Sequence, residues 1–353
     1  MNKSITVALD AMGGDFGPEI VIPGAAIALK DRPGTSFIFF GDETKIAPFL
    51  EKHPALAKVS SIHHTTKSIS SDEKPGQALR SGRDSSMRLA IDSVAEGRCD
   101  CIVSAGNTGA LMAMAKMVLK MLPGIHRPAI AGVFPTIRGK TVVLDLGANL
   151  ECDSEILVQF AVLGSVYARV VQNIMSPTVG LLNVGSEDMK GHEEIRSASA
   201  VLQQIKFPGK YYGFVEGNDI TQGTVDVVVT DGFTGNVALK VAEGAVKLTS
   251  HFLKDALKSS PLSYMGAFLA SGGLKQVKNR MDPRLYNGGM FLGLNGICVK
   301  SHGGMDAVAF ANATRVAIDL TANKFNNRVA EEIQQVMTQE SFVVPPAAMA
   351  VSE

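Results

Sequence analysis

Val103-Ser104-Ala105-Gly106-Asn107-Thr108-Gly109 and Val229-Thr230-Asp231-Gly232-Phe233-Thr234-Gly235 share the pattern V-[ST]-x-G-x-T-G. Each follows an apolar run and precedes residues of helical periodicity, so each reads as a strand, a glycine turn carrying hydroxyls, and a helix start. Glycine lets backbone N–H groups approach an oxyanion with no Cβ in the way. The helix start adds unpaired donors and the positive end of its dipole. Two such loops point to a site that receives two anionic or oxyanionic groups.

Outward from these loops, short β-branched runs alternate with helical periods. Strands are expected at Ile5–Leu9, Ser36–Phe40, Cys99–Ser104, Thr141–Leu144, Thr178–Leu182 and Val225–Thr230. Helices are expected at Pro18–Lys30, Ser81–Ala95, Ala110–Lys120, Glu155–Val171, His192–Gln204, Val237–Lys258 and Ala307–Thr321. That rhythm defines an α/β fold with a largely parallel sheet covered by helices, which places ligands at the strands' carboxyl ends. The exits read Asp10-Ala11-Met12-Gly13-Gly14-Asp15, Ser104 to Gly109, Asp145-Leu146-Gly147-Ala148-Asn149, Asn183 to Gly191 and Asp231 to Asn236. One or two such exits are ordinary βα turns with capping residues. Five favour a shared polar cleft.

The 353 residues are 46% hydrophobic and 19% charged, enough for a substantial core in a single α/β unit over 1–340, with a tail at 341–353 expected to fray. Basic and acidic residues balance at 34 each, so no global field recruits nucleic acid, and none is expected as a partner. Cys99, Cys101, Cys152 and Cys298 have neither a C-x-x-C nor a zinc spacing, which suits small thiols in a reducing cytoplasm. No run reads as a signal peptide or a membrane span, so a cytoplasmic chain is expected, one that at most lies on a membrane surface.

Absences narrow the chemistry. There is no Walker A loop, no G-x-G-x-x-G after the first strand, no G-x-S-x-G elbow and no H-E-x-x-H. No cofactor or metal site is read from the sequence. Chemistry without an obvious base fits a substrate that is already a nucleophile. Inorganic phosphate is one, because a phosphate whose second ionisation lies near ~6 is largely dianionic at neutral pH. The protein then has to position it, neutralise charge and stabilise a developing oxyanion.

Leu9 to Asp15 with Gly17-Pro18, Ser104 to Met112, Leu144 to Asn149, Gly180 to Gly185, Phe214 to Asn218 and Thr230 to Lys240 resemble the bacterial phosphate acyltransferase family PlsX. The likeness runs from the first strand to Lys300-Ser301-His302-Gly303-Gly304, and departs at Ser186, where the family pattern is acidic. It implies transfer of a fatty acyl chain from acyl carrier protein to inorganic phosphate, giving acyl phosphate for phospholipid synthesis. It also implies a fold similar to phosphotransacetylase and isocitrate-dehydrogenase-like enzymes, and a homodimer working at the membrane surface. A phosphotransacetylase-like enzyme using acyl-coenzyme A and a non-catalytic membrane or carrier-protein scaffold are the competing readings.

Within the family's loop, Lys190 is assigned to phosphate or to the developing oxyanion. Asn236 serves either as a helix cap or as an amide aimed at the thioester carbonyl. Ser104, Asn107, Thr108, Gly109, Asp231, Thr234 and Gly235 form the expected anion cradle, although hydroxyls also satisfy turns locally. Asp10 and Asp15 are read as orienting the lysine, and His302 is the histidine candidate for the cleft. Cys152 is read as structural, with nothing nearby marking it as activated.

A protruding amphipathic helical segment is expected at about 246–282. Leu257, Leu262, Met265, Phe268 and Leu269 suit either a lipid interface or a dimer contact. Lys275, Lys278, Arg280 and Arg284 suit electrostatic steering of an acidic carrier protein.

Overall fold

The protein, seen in a computed structural model, is described at residues 4–280, 282, 284 and 288–339. The side chain of Lys278 and the tail 341–353 lie outside the described residues. Eleven strands form one sheet: β1 (Ile5–Asp10), β2 (Thr35–Gly41), β3 (Ser60–His64), β4 (Cys101–Ser104), β5 (Ala129–Pro135), β6 (Lys140–Leu144), β7 (Thr178–Leu182), β8 (Lys210–Val215), β9 (Val227–Val229), β10 (Gly289–Leu292) and β11 (Ile297–Lys300). Their order is β3-β2-β1-β4-β11-β10-β5-β6-β9-β7-β8.

The first helices are α1 (Pro18–Asp31), α2 (Glu43–Leu50), α3 (Pro54–Ala57), α4 (Pro75–Ser81), α5 (Ser86–Ala95), α6 (Thr108–Leu119) and α7 (Ser154–Val171). They are followed by α8 (Glu193–Gln204), α9 (Gly217–Gln222), α10 (Gly232–Lys258), α11 (Pro261–Leu269), α12 (Ser271–Arg280), α13 (Ala307–Ala322) and α14 (Phe325–Met337). The helix expected over 81–95 is α5, which starts only at Ser86, while Ser81 ends the separate helix α4. The chain breaks at Gly82, where an added Cβ would lie 2.5 Å from Ile69, and Ser85 caps the new start.

The expected α/β fold with a largely parallel sheet is present, with a reversal inside it. β10 is antiparallel to β11 and to β5, and β5 is antiparallel to β6, while every other pair is parallel. The group β3-β2-β1-β4-β11 therefore runs opposite to β6-β9-β7-β8, and the sheet has two sets of carboxyl ends rather than one.

Burial on both strand faces matches helical cover on both sides, as at Cys101, Ile102, Val103 and Ser104, all buried. One face carries a continuous core in which Val21, Phe160, Tyr167, Phe310 and Phe325 come from α1, α7, α13 and α14. The opposite face divides into two smaller cores. One packs Met87, Leu111, Met114 and Phe291, and the other packs Val143, Leu182 and Val228 with Ala238 and Leu239 of α10 against it.

Among the described residues, one helix is long and apolar enough to cross a membrane, contrary to the expectation that no run reached that length. It is α7, and 78% of it is buried within the protein, where it serves as the central core helix. Tyr167 on α7 meets Phe325 of α14 edge-on at 6.2 Å between centroids, and its buried hydroxyl has no hydrogen-bond partner among the described residues. An unpaired buried hydroxyl costs about 1–3 kcal/mol. Tyr167→Phe is therefore expected to hold or raise the urea midpoint, while Tyr167→Ala lowers stability by about 3–5 kcal/mol.

Candidate active site

Three strand exits meet at backbone contact in the amino-terminal half. A Cβ on Gly13 would lie 2.7 Å from the Gly106 nitrogen, and one on Gly14 would lie 3.1 Å from the Gly303 carbonyl. Only glycine permits this approach of the exits of β1, β4 and β11. Beneath them Asp10 is buried, accepting hydroxyl bonds from Ser86 and Ser104, both at 2.6 Å. The Ser104 hydroxyl accepts in turn from Gly106 N at 3.0 Å, so this serine shapes the loop from below. Burial pushes the Asp10 carboxyl above its ordinary range, and the two serine hydroxyls pull it back.

The lysine that Asp10 and Asp15 face is Lys300, not Lys190. Lys300 ends β11 beside Ser104, and its ammonium donates to the carbonyls of Ala105, at 3.2 Å, and of Ser301. Burial lowers it from 10.5 to about 8, against the pull of Asp10 and Asp15. His302 is also held below its ordinary value, by burial first and then by Lys300 and Lys240. Lys300 was not singled out in the sequence. Its signal was a Lys at the exit of a strand too short to register.

In the other half, the parallel neighbours β6, β9 and β7 align Leu144 with Val229, and Val229 with Leu181. This register sets the Asp145, Asp231 and Asn183–Lys190 exits side by side. Asp145 is fully buried and accepts from the backbone N–H groups of Ile130, Gly147, Ala148 and Asn149 and from the Asn149 side chain. Burial nonetheless raises its carboxyl above the ordinary value, these donors notwithstanding. Gly232 N donates to Asn149 O at 2.7 Å, and a Cβ on Gly235 would lie 1.8 Å from the Asp145 carbonyl. These contacts seat the start of α10 directly on the Asp145 loop.

Asn236, in the first turns of α10, lies against Gly147. Lys240 and Glu243, one and two turns further along the same helix face, lie within electrostatic range of His302. α10 thus links the two sets of exits. Lys190 follows the Asn183 loop, whose side-chain amide donates to Lys190 O at 3.0 Å. Among the described residues, neither the Lys190 ammonium nor the Asn236 side-chain amide has a hydrogen-bond partner, and both residues are exposed.

The expected cradle changes in detail. The Asn107 amide donates to the carbonyls of Ser70, Ser71 and Glu73 and accepts from Ala110 N at 3.0 Å, so it caps α6 and clamps the 70–73 loop. Asp231 caps α10, accepting from Thr234 N at 2.8 Å and from the Thr234 hydroxyl at 2.9 Å. A carboxylate already fills that helix start. Gly109 gives room to Pro75, 2.8 Å from where its Cβ would be. Thr108, exposed as the first residue of α6, has a hydroxyl with no partner among the described residues. The Cys152 thiol is pushed up to about 12 by burial, Asp145 and Asp231, which keeps it protonated and a poor nucleophile. No group of three or more metal-ligating side chains occurs among the described residues.

Solved structures with this fold include the EutD phosphotransacetylase from Staphylococcus aureus, at TM-score 0.58 and 18% identity, covering 91% of this chain and 95% of that one. A phosphotransacetylase from Streptococcus pyogenes aligns at TM-score 0.61 and 15% identity, covering 92% and 95%. The architecture is that of a phosphotransacetylase-like α/β protein. In sequence, a family described as "Fatty acid synthesis protein" matches residues 5–328. The chain is 58% identical over 336 residues to a phosphate acyltransferase of Rhodospirillum centenum, covering 95% of each. It is 54% identical over 350 residues to one of Paramagnetospirillum magneticum, covering 99% of each. The chain belongs to the phosphate acyltransferase family, and it is an acyltransferase whose acceptor is phosphate.

The Lys300 shift has a signed consequence for stability. The unfolded chain keeps a proton near pH 10.5 that the folded chain releases at about 8, so the cost of burying the ammonium is full below 8 and falls away between 8 and 10.5. Urea unfolding of wild type and Lys300→Met across that window is expected to move in favour of wild type by about 3 kcal/mol.

Proposed function

We propose that the enzyme takes its acyl group from an acyl carrier protein thioester and transfers it to inorganic phosphate, supplying acyl phosphate for membrane phospholipid synthesis. The observation that carries the reading is the pair of uncommitted polar groups, Lys190 and Asn236, on neighbouring strand exits of one sheet edge. A phosphate oxygen of the dianion attacks the thioester carbonyl carbon, the carbonyl electrons collect on oxygen and then return as the C–S bond breaks, and the departing thiolate takes the proton that the hydrogen phosphate carried, leaving thiol and acyl phosphate. No group on the protein needs to remove a proton from phosphate at neutral pH. Lys190 and Asn236 supply charge and a hydrogen bond to the developing oxyanion.

The choice of carrier protein and membrane is supported by the arm formed by α10, α11 and α12. After Gly235 no residue of α10 is buried, and none of α11 is. Leu262, Phe268 and Leu269 are 74%, 75% and 80% exposed, Met265 is exposed as well, and Leu257 is half-buried within the arm. Lys275 on α12 is exposed beside them. Arg284 leaves the steering set, because it is paired with Asp282 and Asp306. Apolar side chains at an arm's tip with lysines beside them suit an anionic lipid surface, while the length of α10 offers Val241, Leu248 and Phe252 to a second copy.

Thiol release from acyl carrier protein thioester is expected to require inorganic phosphate and to exceed release from acyl-coenzyme A at matched concentration. Preference for coenzyme A would favour the phosphotransacetylase reading. Lys190→Ala and Asn236→Ala are each expected to lower kcat by about 10²–10³-fold with unchanged melting temperature. For the arm, Leu262→Glu with Phe268→Glu is expected to abolish sedimentation with anionic vesicles while the size-exclusion volume stays that of a dimer. A shift to monomer would assign those residues to the dimer contact instead.

A further inference from the structure

Of the buried ionisable groups, Lys300 has no place in the reaction as described so far. Its ammonium is fixed by two backbone carbonyls, those of Ala105 and Ser301, which leaves one of its three donors over. Among the described residues, no carboxylate comes within ion-pair distance of it. Asp10, the acid with the stronger pull on it, has each oxygen occupied by a serine hydroxyl. Asp10 therefore acts on Lys300 through its field and does not consume its donors. A largely buried cation with no direct anionic contact is costly, and an anion that completes its shell relieves that cost.

The Ala105 carbonyl that Lys300 bonds belongs to the 104–109 loop, just before the start of α6. The exits of β1, β4 and β11 close on one another at Gly13, Gly14, Gly106 and Gly303, with the Asp10 carboxylate and the Ser104 hydroxyl packed against Gly13 and Gly106. The helix that begins there, α6, is capped by the neutral Asn107, whereas α10 is capped by the carboxylate of Asp231. Charge thus separates two loops that share one sequence pattern. The first lacks an anion, and the second already contains one.

We propose that Lys300 binds the attacking phosphate, so that the two glycine loops divide the work. Phosphate lies on the 104–109 loop, with Asp10 as the positioning carboxylate of Lys300, and the thioester carbonyl lies at Lys190 and Asn236. The assignment deepens the function proposed above and rests on it for the identity of the nucleophile. The charged and titratable groups around Lys300 are Asp10, Asp15 and His302, and His302 in turn is within range of the Lys240–Glu243 pair of α10, joined at 3.0 Å.

The test has two arms, both on the full chain. In the first, inorganic phosphate alone is titrated while melting temperature is read. Wild type is expected to be stabilised and Lys300→Met to lose the response, with Lys190→Met keeping it. In the second, phosphate is varied in thiol release. Lys300→Met is expected to raise KM for phosphate by about 100-fold, in line with loss of a charge-assisted contact. KM for the thioester should hold within about twofold, and Lys300→Arg should recover part of the loss. A Lys300→Met enzyme with wild-type phosphate KM and thermal response overturns the proposal, as does a change confined to the thioester KM.

Should that variant not fold, wild type alone decides. Its KM for phosphate is expected to climb above pH about 8 as the ammonium loses its proton, and a flat profile to pH 9.5 overturns the assignment. If wild type releases no thiol on phosphate addition, the proposed function fails, while the phosphate-only melting experiment still tests Lys300.

Discussion

The buried carboxylate of Asp145 is the anchor on which the half of the molecule built on β6, β9 and β7 depends. It gathers four backbone N–H groups and the Asn149 amide into one tight exit from β6. α10 then starts on top of that exit, with Gly235 against the Asp145 carbonyl and Gly232 bonded to Asn149. Everything α10 carries follows from this seat: Asn236 beside Gly147, Lys240 opposite His302, and the arm beyond. A buried charge is tolerable here because nearly all its lone pairs are used, and the same bonding makes the loop rigid.

The reversal of the sheet at β10 and β5 is the second constraint. Had all strands run one way, the five glycine-rich exits would form one edge. Because the halves oppose each other, the exits divide into an Asp10–Ser104–Lys300 set and an Asp145–Thr230–Asn183 set. α10, seated on the second set and within electrostatic range of His302 of the first through Lys240 and Glu243, is the element that spans both.

The two halves also handle charge differently. Around Asp10, acid and base are both buried at a distance, with serines and backbone carbonyls taking the direct contacts. Around α10, Lys190 and Asn236 are exposed, with no hydrogen-bond partner for either side chain among the described residues. The arm repeats the contrast at larger scale. Most of its surface is uncovered, and that exposure of Leu262, Phe268 and Leu269 is costly for a protein that leaves them in water.

Local chemistry made much of the protein legible from its sequence. Apolar periodicity located α1, α7, α8 and α13 to within a residue or two, because burial on one face imposes the period directly. The glycine-rich exits with their Asp, Asn and Ser residues are legible for the same local reason. Strands β10 and β11, four residues each, were too short to leave a pattern, and with them went Lys300 and the reversal of the sheet. The twin loops show the limit most clearly. The neutral cap Asn107 and the charged cap Asp231 are read directly from the sequence, but that Asn107 also clamps the 70–73 loop and that the start of α10 sits on the Asp145 exit are set by partners distant in the chain. Sequence sets what each segment can form, and long-range packing sets which polar groups remain free to bind.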